Sequence, residues 1–308
     1  MRFNAAHPIP YQGSKRQLAA AILSFIEPGR FLRLVEPFVG SAAVTLAAAS
    51  KKICCAFLIA DALLPLMGIW HEILEKPNVI ASRYRQIWRS QLDDPRVRYN
   101  AIRGEFNRDR EPAKLLFLLA RCVKNSVRFN PSGEFNQSPD NRRLGVKPET
   151  EETEILAAHH LLAGHCQIQC GDFRETLRLA TPDDIVYLDP PYQGTSDGRD
   201  RRYIRGVKRD EIIEALEQLN KRNVQFILSY DGACGDKAYG ETLPAWLGAQ
   251  KIFVDAGRSS QGTLNGKNLR TMESLYLSAG LCEGINVPEM LHGKEPLRET
   301  LLFQMTAR

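Results

Sequence analysis

The stretch Val186-Tyr187-Leu188-Asp189-Pro190-Pro191-Tyr192 constrains the fold of this chain more than any other. Its first part, residues 185–188, is an apolar run typical of a buried strand in a parallel sheet. The two prolines cannot continue a strand, because each lacks an N–H and has a fixed φ. Asp189 is therefore predicted at the carboxyl end of a strand. In open α/β sheets this is the edge at which ligands bind.

Composition excludes several classes of protein. With 44% apolar and 25% charged residues, the chain is typical of a soluble globular protein. Its longest apolar zone, residues 53–70, is broken by Asp61 and Pro65, so no membrane span is predicted. The amino terminus lacks the apolar stretch of a secretory signal, and seven cysteines without regular spacing favour reduced thiols. These features predict a cytoplasmic protein.

Two further properties bear on ligands. The net charge of +5 permits a polyanionic partner without requiring one. His165, Cys166 and Cys170 lie close together in sequence, but the two cysteines fall on a predicted strand and point the same way too far apart to chelate. No metal is therefore predicted.

A second strand–turn–helix unit indicates a nucleotide-type ligand. Residues 31–35 form a predicted strand that runs into a turn of small residues around Gly40, followed by a helix. A third predicted strand, residues 54–60, ends on Asp61, and its distance from Gly40 suits an acid that binds ribose hydroxyls. Because only one glycine is present, we expect a ligand with a ribose but without a pyrophosphate.

Two other segments are candidates for the same site. Gly13 and Lys15, at the start of a predicted helix with Ser14 as its N-cap, suit an anion; an ordinary capped helix is the alternative. Asp172 and Phe173 follow the predicted strand 166–170 and suit the amine and the ring of an adenine. The alternative for Asp172 is a simple N-cap of the next helix.

Between these segments lies a region without strand signals. Residues 63–119 show successive helical patterns, which predict an inserted helical subdomain. Basic, aromatic and amide residues follow it and recur in two later loops, a mixture that suits phosphate contacts, base readout and stacking. The predicted nucleic-acid-binding residues are Lys124, Asn125, Arg128, Asn130, Asn136, Arg142, Arg143, Arg201, Arg202, Arg205, Arg258 and Lys267.

Taken together, these motifs resemble the Dam-like (D12 class, alpha group) S-adenosylmethionine-dependent DNA adenine-N6 methyltransferases. The resemblance spans roughly residues 8 to 280 and is carried by Tyr11-x-Gly13-Ser14-Lys15, Val35-Glu36-Pro37-Phe38-Val39-Gly40, Ile59-Ala60-Asp61, Gly133-Glu134-Phe135-Asn136, Cys170-Gly171-Asp172-Phe173 and Val186–Tyr192. Two positions depart from the family: Ala42 stands where a second glycine is usual, and Ala62 where many relatives have asparagine.

The resemblance implies a fold, a division of the chain and a set of roles. We expect a Rossmann-like class I methyltransferase sheet, mostly parallel with one antiparallel edge strand. A catalytic domain over 1–64 and 154–285, a helical DNA target-recognition insertion over 65–153 and a tail over 286–308 are predicted. The implied S-adenosyl-L-methionine site consists of Tyr11, Gly13, Lys15, Glu36, Pro37, Phe38, Gly40, Asp61, Asp172 and Phe173; the implied catalytic residues are Asp189, Pro190, Pro191 and Tyr192.

The chemistry of the catalytic turn suits a planar amine. The Asp189 carboxylate and the Pro190 carbonyl can each accept one N–H, which directs the nitrogen lone pair at a methyl donor. The adenine would be flipped out of double-stranded DNA and would stack on Tyr192. Cytosine N4, an RNA adenine or a glutamine amide are alternative substrates, and a silent nucleic-acid-binding regulator is an alternative from another class. A cognate restriction endonuclease is a possible partner, and the oligomeric state is left open.

Overall fold

The computed structural model describes residues 6–191, 207–234, 237–239, 241–258, 270–283 and 290–292. Its strands are β1 (Arg33–Glu36), β2 (Ala56–Asp61), β3 (Cys166–Cys170), β4 (Asp184–Leu188), β5 (Gln225–Cys234), β6 (Lys237–Tyr239), β7 (Gln250–Arg258), β8 (Arg270–Leu277) and β9 (Met290–His292). Its α-helices are α1 (Ala19–Leu23), α2 (Ala43–Ser50), α3 (Leu64–Glu75), α4 (Pro77–Arg89), α5 (Pro95–Asp109), α6 (Pro112–Arg121), α7 (Pro148–Leu162), α8 (Phe173–Arg178), α9 (Arg209–Lys221) and α10 (Ala279–Cys282). None of these helices is both long and apolar enough to cross a bilayer.

All of the strands join one sheet in the order β3-β2-β1-β4-β5-β8-β7-β9, with β6 paired to β5. The five neighbouring strands β3, β2, β1, β4 and β5 are parallel, which confirms the predicted α/β fold. The prediction of one antiparallel edge strand was wrong in position. β8 is antiparallel to both β5 and β7, so β7 and β9 lie outside it, and β6 is a second antiparallel strand.

The apolar strands are explained by cover on both faces of the sheet. Along β4, Ile185 and Tyr187 join one buried cluster while Val186 and Leu188 join the other. Successive side chains of a strand point to opposite faces, so a strand covered on both sides must be apolar at every position. This is why residues 185–188 form a continuous hydrophobic run.

A helical layer extends the core on one side of the sheet. Helices α4 to α7 each begin with a proline. Proline suits the first turn because the N–H groups there have no hydrogen-bond partner within the helix, so its missing N–H costs nothing. Helix α6 is buried along residues 115–120 and packs against α3, α4 and α5. These helices match the predicted insertion in kind, and its boundaries stay a prediction.

The loop between α6 and α7, residues 122–147, is called the basic loop here, and one buried arginine anchors it. Arg121 is only 1% exposed. Its Nε donates to Gln91 Oε1 at 2.8 Å, and its Nη1 donates to the carbonyl oxygens of Asp140, at 2.6 Å, and of Arg143. The guanidinium therefore joins the end of α4 to residues 140–143, and it fixes the basic loop by satisfying carbonyls that would otherwise be buried without donors.

We expect Arg121→Met to lower the free energy of unfolding by about 3 kcal/mol, because it leaves several buried acceptors without donors. Urea unfolding followed by circular dichroism measures this. Arg89→Met, at an exposed position of α4, is the matched control and should change stability little. Equal stability of the two variants would contradict the anchoring role.

Candidate active site

Three acids meet at the carboxyl edge of the sheet. Glu36 ends β1, Asp61 ends β2 and Asp189 follows β4 by one residue. Because β1 lies between β2 and β4 in parallel register, the three carboxyl groups face one space. This is the point where the strand order reverses, and such switch points are ligand sites in α/β sheets. A cavity of about 420 Å³ lies here, lined by all three acids.

The turn after β1 forms one wall of the cavity. Gly40 has φ 47°, and the Tyr11 ring lies 3.3 Å from where a β-carbon would be, so a side chain here would meet both strain and the ring. Asp61 Oδ2 accepts a hydrogen bond from Gly40 N at 3.3 Å, and Trp70 Nε1 donates to Gly40 O at 3.0 Å. Ala42 has φ 51°, so the chain keeps a left-handed conformation where glycine is usual in the family.

The amino-terminal segment forms a second wall. Ser14 precedes a 3-10 turn, Lys15–Gln17, and makes no side-chain cap, so its predicted N-cap role was wrong. Its hydroxyl instead accepts from the Ser41 hydroxyl at 2.9 Å, because the segment packs against the β1 turn. Gln12 N donates to Asn125 O at 3.0 Å. The segment thus links the β1 turn to the basic loop.

Lys15 lies at the centre of the site. Its side chain is only 6% exposed, and its Nζ lies 2.9 Å from Asp189 Oδ1 and 3.4 Å from Glu273 Oε2. Lys15 was predicted to bind an anion as part of the S-adenosyl-L-methionine site, whereas here it contacts two acids of the protein. Glu273-Ser274-Leu275 resembles part of the family's final hairpin, but no site role for Glu273 was predicted, because the antiparallel direction of β8 brings an early residue of that strand to the carboxyl edge of its neighbours. The absence of other acids between Asp255 and Glu273 was the available signal.

The crowded carboxyl groups have raised pKa values. Burial raises the pKa of Glu36 to about 8, although Thr45 opposes the shift by donating its N–H and its hydroxyl. Removal from bulk water raises the pKa of Asp61 to about 6. Burial also raises the pKa of Asp189, to about 6. There the ammonium of Lys15 opposes the shift, and the charge of Glu273 adds to it. At neutral pH the site therefore holds a protonated Glu36 beside largely ionised Asp61 and Asp189.

Asp172 and Phe173 are placed differently from each other. Asp172 accepts from Arg174 N at 2.9 Å, as an N-cap of α8, and its Oδ2 lies 2.6 Å from Arg174 Nη2. It does not line the cavity described above. The buried Phe173 ring packs against Phe38 with 5.0 Å between centroids, and Phe38 lines the cavity. Of the residues predicted to contact an adenine ring or lie near it, Phe38 lines the cavity, and Phe173 packs behind it.

The basic loop supplies a third wall. Ser126, Val127 and Phe129 line the cavity, although none of the three was among the predicted site residues. Phe129 pairs with Phe135 in a short hairpin, and the two rings pack at 5.7 Å. The amide of Asn107 on α5 holds this hairpin by bonding both backbone groups of Phe135.

Several predicted DNA-binding residues carry structural bonds. Asn130 caps the hairpin turn by bonding Glu134, and Asn125 donates to Leu119 O at 2.8 Å. Arg142 pairs with Asp140 at 3.0 Å while 84% exposed. Arg143 Nη2 donates to Cys122 O at 3.1 Å.

The remaining predicted residues divide by what the structure describes. Lys124 and Asn136 are exposed, and Arg128 is half-buried. Arg258 ends β7 and is described by its backbone alone. Outside the described residues lie Tyr192, Arg201, Arg202, Arg205 and Lys267.

Comparison with known proteins places the chain in a family. Residues 11–272 match the family of D12 class N6 adenine-specific DNA methyltransferases. The chain is 30% identical over 266 residues to the Retron Ec67 DNA adenine methylase of Escherichia coli, an alignment that covers 83% of this chain and 88% of that protein. It is 24% identical over 239 residues to the DNA N-6-adenine-methyltransferase of Escherichia phage P1, covering 72% of this chain and 29% of that one. With the Type II methyltransferase M.FokI of Planomicrobium okeanokoites, identity is 25% over 232 residues, covering 72% and 35%.

The chain belongs to the D12 class N6 adenine-specific DNA methyltransferases. It is an enzyme that methylates the N6 amine of adenine in DNA, as the resemblance implied. Membership favours this reaction over cytosine N4, an RNA adenine, a glutamine amide or a silent regulator. The chain spans about a third of the length of the phage P1 and M.FokI proteins, and most of the retron protein.

The raised pKa of Glu36 generates a stability prediction. Between its ordinary value of 4.5 and about 8, the folded chain holds a proton at Glu36 that the unfolded chain releases. The free energy of unfolding therefore falls as pH rises through this window. Glu36→Gln cannot release the proton and still accepts from Thr45, so the variant should lose less stability than the wild type between about pH 5 and pH 8. Urea unfolding at both pH values measures it.

The control is Glu27→Gln, at an exposed position before β1, which should keep the pH dependence of the wild type. If Glu36→Gln also keeps it, Glu36 is ionised in the folded chain at neutral pH and the assignment of a neutral carboxyl group is wrong.

Proposed function

We propose that the cavity binds S-adenosyl-L-methionine as the methyl donor and presents it to an adenine held by Asp189. The observation that carries this proposal is the charge of the cavity. Glu36 is protonated at neutral pH, so it adds no charge. Asp61 and Asp189 line the cavity against one ammonium, Lys15. That ammonium is already paired with Asp189 and with a further acid, Glu273. A site with this excess of acids attracts a ligand that carries positive charge. S-adenosyl-L-methionine has a sulfonium and an ammonium, and it supplies the electrophilic methyl group.

The cavity walls suit the parts of this ligand. Asp61 lies at the end of β2, where an acid accepts hydrogen bonds from ribose hydroxyls. Its two oxygens already accept from Gly40 N and Leu63 N, which fixes the carboxylate while leaving lone pairs for a ligand. Phe38, with Phe173 behind it, offers an aromatic surface for the adenine.

Asp189 and Pro190 act on the substrate amine. The lone pair of an aromatic amine is delocalised into its ring, so the nitrogen is a poor nucleophile. Asp189 accepts one N–H and the Pro190 carbonyl accepts the other, which favours a pyramidal nitrogen and directs its lone pair into the cavity. Lys15 helps to keep Asp189 ionised, because its ammonium lowers the pKa of that carboxyl group. An ionised Asp189 can only accept, as this role requires.

The partner is double-stranded DNA, and the target adenine reaches the turn after flipping out of the stack. Pro190, Pro191 and Val207 line the cavity beside Asp189 and would contact the flipped base. The hairpin around Phe129 and Phe135 adjoins the same space, so the duplex would lie along the basic loop with Lys124, Arg128 and Asn136 at its surface. Such an enzyme works where the DNA is, in the cytoplasm of a bacterial cell.

One relative is named a Type II methyltransferase, which supports a cognate restriction endonuclease as a further proposed partner. If such a pair exists, the endonuclease cuts the sequence that this enzyme methylates. Sequencing of host DNA for modified adenines after expression identifies the sequence, and digestion of that DNA with candidate endonucleases tests protection.

Asp189→Ala should abolish methyl transfer, with a loss of at least about a thousandfold in single-turnover rate, because the amine loses its charged acceptor. Cofactor binding should remain, as seen by titration calorimetry. The control is Asp183→Asn, an exposed acid at the opposite end of the same strand, which should keep the wild-type rate. A near-normal rate in Asp189→Ala would refute the assignment.

Asp61→Asn should weaken S-adenosyl-L-methionine binding by about tenfold or more, because hydrogen bonds to a charged acceptor contribute about 1.5–3 kcal/mol. Calorimetric titration gives the dissociation constant. Asp93→Asn, an exposed acid between α4 and α5, is the control. Unchanged affinity in Asp61→Asn would place the ribose elsewhere.

A further inference from the structure

Glu273 shares the ammonium of Lys15 with the residue proposed to hold the substrate. Lys15 Nζ lies 2.9 Å from Asp189 Oδ1 and 3.4 Å from Glu273 Oε2. The side chains of Lys15, Asp189 and Glu273 are 6%, 19% and 17% exposed, so this cluster is largely removed from water. Charges that are largely removed from water interact strongly, and salt screens them much less than it screens exposed charges.

The fold holds Glu273 firmly in this position. It belongs to β8, which lies between β5 and β7 and is hydrogen-bonded on both sides. The buried Ser229 of β5 donates its hydroxyl to Glu273 Oε2 at 3.5 Å. The register of β5 and β8 shifts between Ser229 and Gly232, next to Glu273. Irregularities of this kind often aim a side chain at an active site.

We propose that Glu273 is a positioning residue for methyl transfer, because it holds Lys15 at one oxygen of Asp189 and gives the cluster a net negative charge. The inference rests on the proposed role of Asp189 as the acceptor of the amine. With Lys15 held at Oδ1, Oδ2 is left for the amine hydrogen. Without the carboxylate of Glu273, the cluster of Lys15, Asp189 and residue 273 would hold one ammonium and one carboxylate.

The net charge matters because charge moves during the reaction. As the amine nitrogen gives its lone pair to the methyl carbon, the carbon–sulfur bond breaks with its electron pair left on sulfur. Positive charge therefore arrives on the nitrogen, beside Asp189, until a proton leaves it for water. One ammonium and two carboxylates sum to a charge of −1, which stabilises this developing cation. An ammonium with one carboxylate has a net charge of zero and stabilises the developing cation less. Because this stabilisation is greater in the transition state than in the ground state, losing it slows the chemical step.

Glu273→Gln tests the proposal by removing the charge while keeping the shape. The measurement is the single-turnover rate at saturating S-adenosyl-L-methionine and DNA, across a range of pH, on the full chain. We expect the plateau rate to fall by about tenfold, a typical scale for a misplaced or weakened catalytic group. We also expect the acid limb of the profile to move to lower pH. Glu273 raises the pKa of Asp189, so removing its charge lets Asp189 ionise more readily.

Two further variants separate charge from structure. Glu273→Asp keeps the charge but withdraws it by one methylene, so its plateau should fall between those of Glu273→Gln and the wild type. Glu217→Gln, at a partly exposed position of α9 paired to Lys221, removes an acid of the same type that does not line the cavity, and it should leave the profile unchanged. Thermal unfolding of each variant shows whether it is folded; if Glu273→Gln does not fold, the Glu273→Asp plateau decides.

A wild-type plateau and acid limb in the folded Glu273 variants would overturn the proposal. An equal shift of the acid limb in Glu273→Gln and Glu273→Asp would also overturn it, because charge would not be the cause. If Asp189→Ala is inactive while Glu273→Gln behaves as wild type, this inference alone fails. If Asp189→Ala keeps a near-normal rate, the proposed function fails first.

Discussion

The ion pair between Lys15 and Asp189 connects the parts from which the active site is built. Lys15 belongs to the amino-terminal segment, Asp189 to the turn after β4, and Glu273 on β8 joins them from the other half of the sheet. Removal of either partner would leave a charge in a space largely removed from water, which is costly. The segment around Lys15 in turn bonds the β1 turn through Ser14 and the basic loop through Gln12, so these walls are held together around one buried ammonium.

The cavity gathers acids that would ionise freely in water. Burial raises the pKa values of these groups because their charged forms are disfavoured away from water, and such perturbed groups are typical of functional sites. A cationic ligand would stabilise their charged forms. The same excess of negative charge that favours the proposed methyl donor also favours the positive charge that develops on the substrate amine, so one electrostatic feature serves both binding and chemistry.

Much of the site could be predicted because each parallel strand has its own local signal. β1, β2 and β4 are short apolar runs that stop at an acid, and parallel strands bring such ends to one edge. Glu273 could not be found in this way, since β8 is antiparallel and its pairing with β5 places Glu273 opposite Gly232, which is 41 residues earlier (273 − 232). The same limit applies to Asp172, whose sequence context suits both a ligand contact and a helix cap, and which the structure shows capping α8 beside Arg174.

The sequence by itself determined the α/β class, the succession of helices after Asp61, the end of β4 before Asp189 and the family, because apolar periodicity, prolines and short motifs are local properties. Only the tertiary structure decided that β8 lies inside the sheet and that Arg121 anchors the basic loop from within. It also decided that Lys15 contacts Asp189 and Glu273. Each of these depends on contacts between distant residues, and their strength depends on burial, which no local pattern specifies.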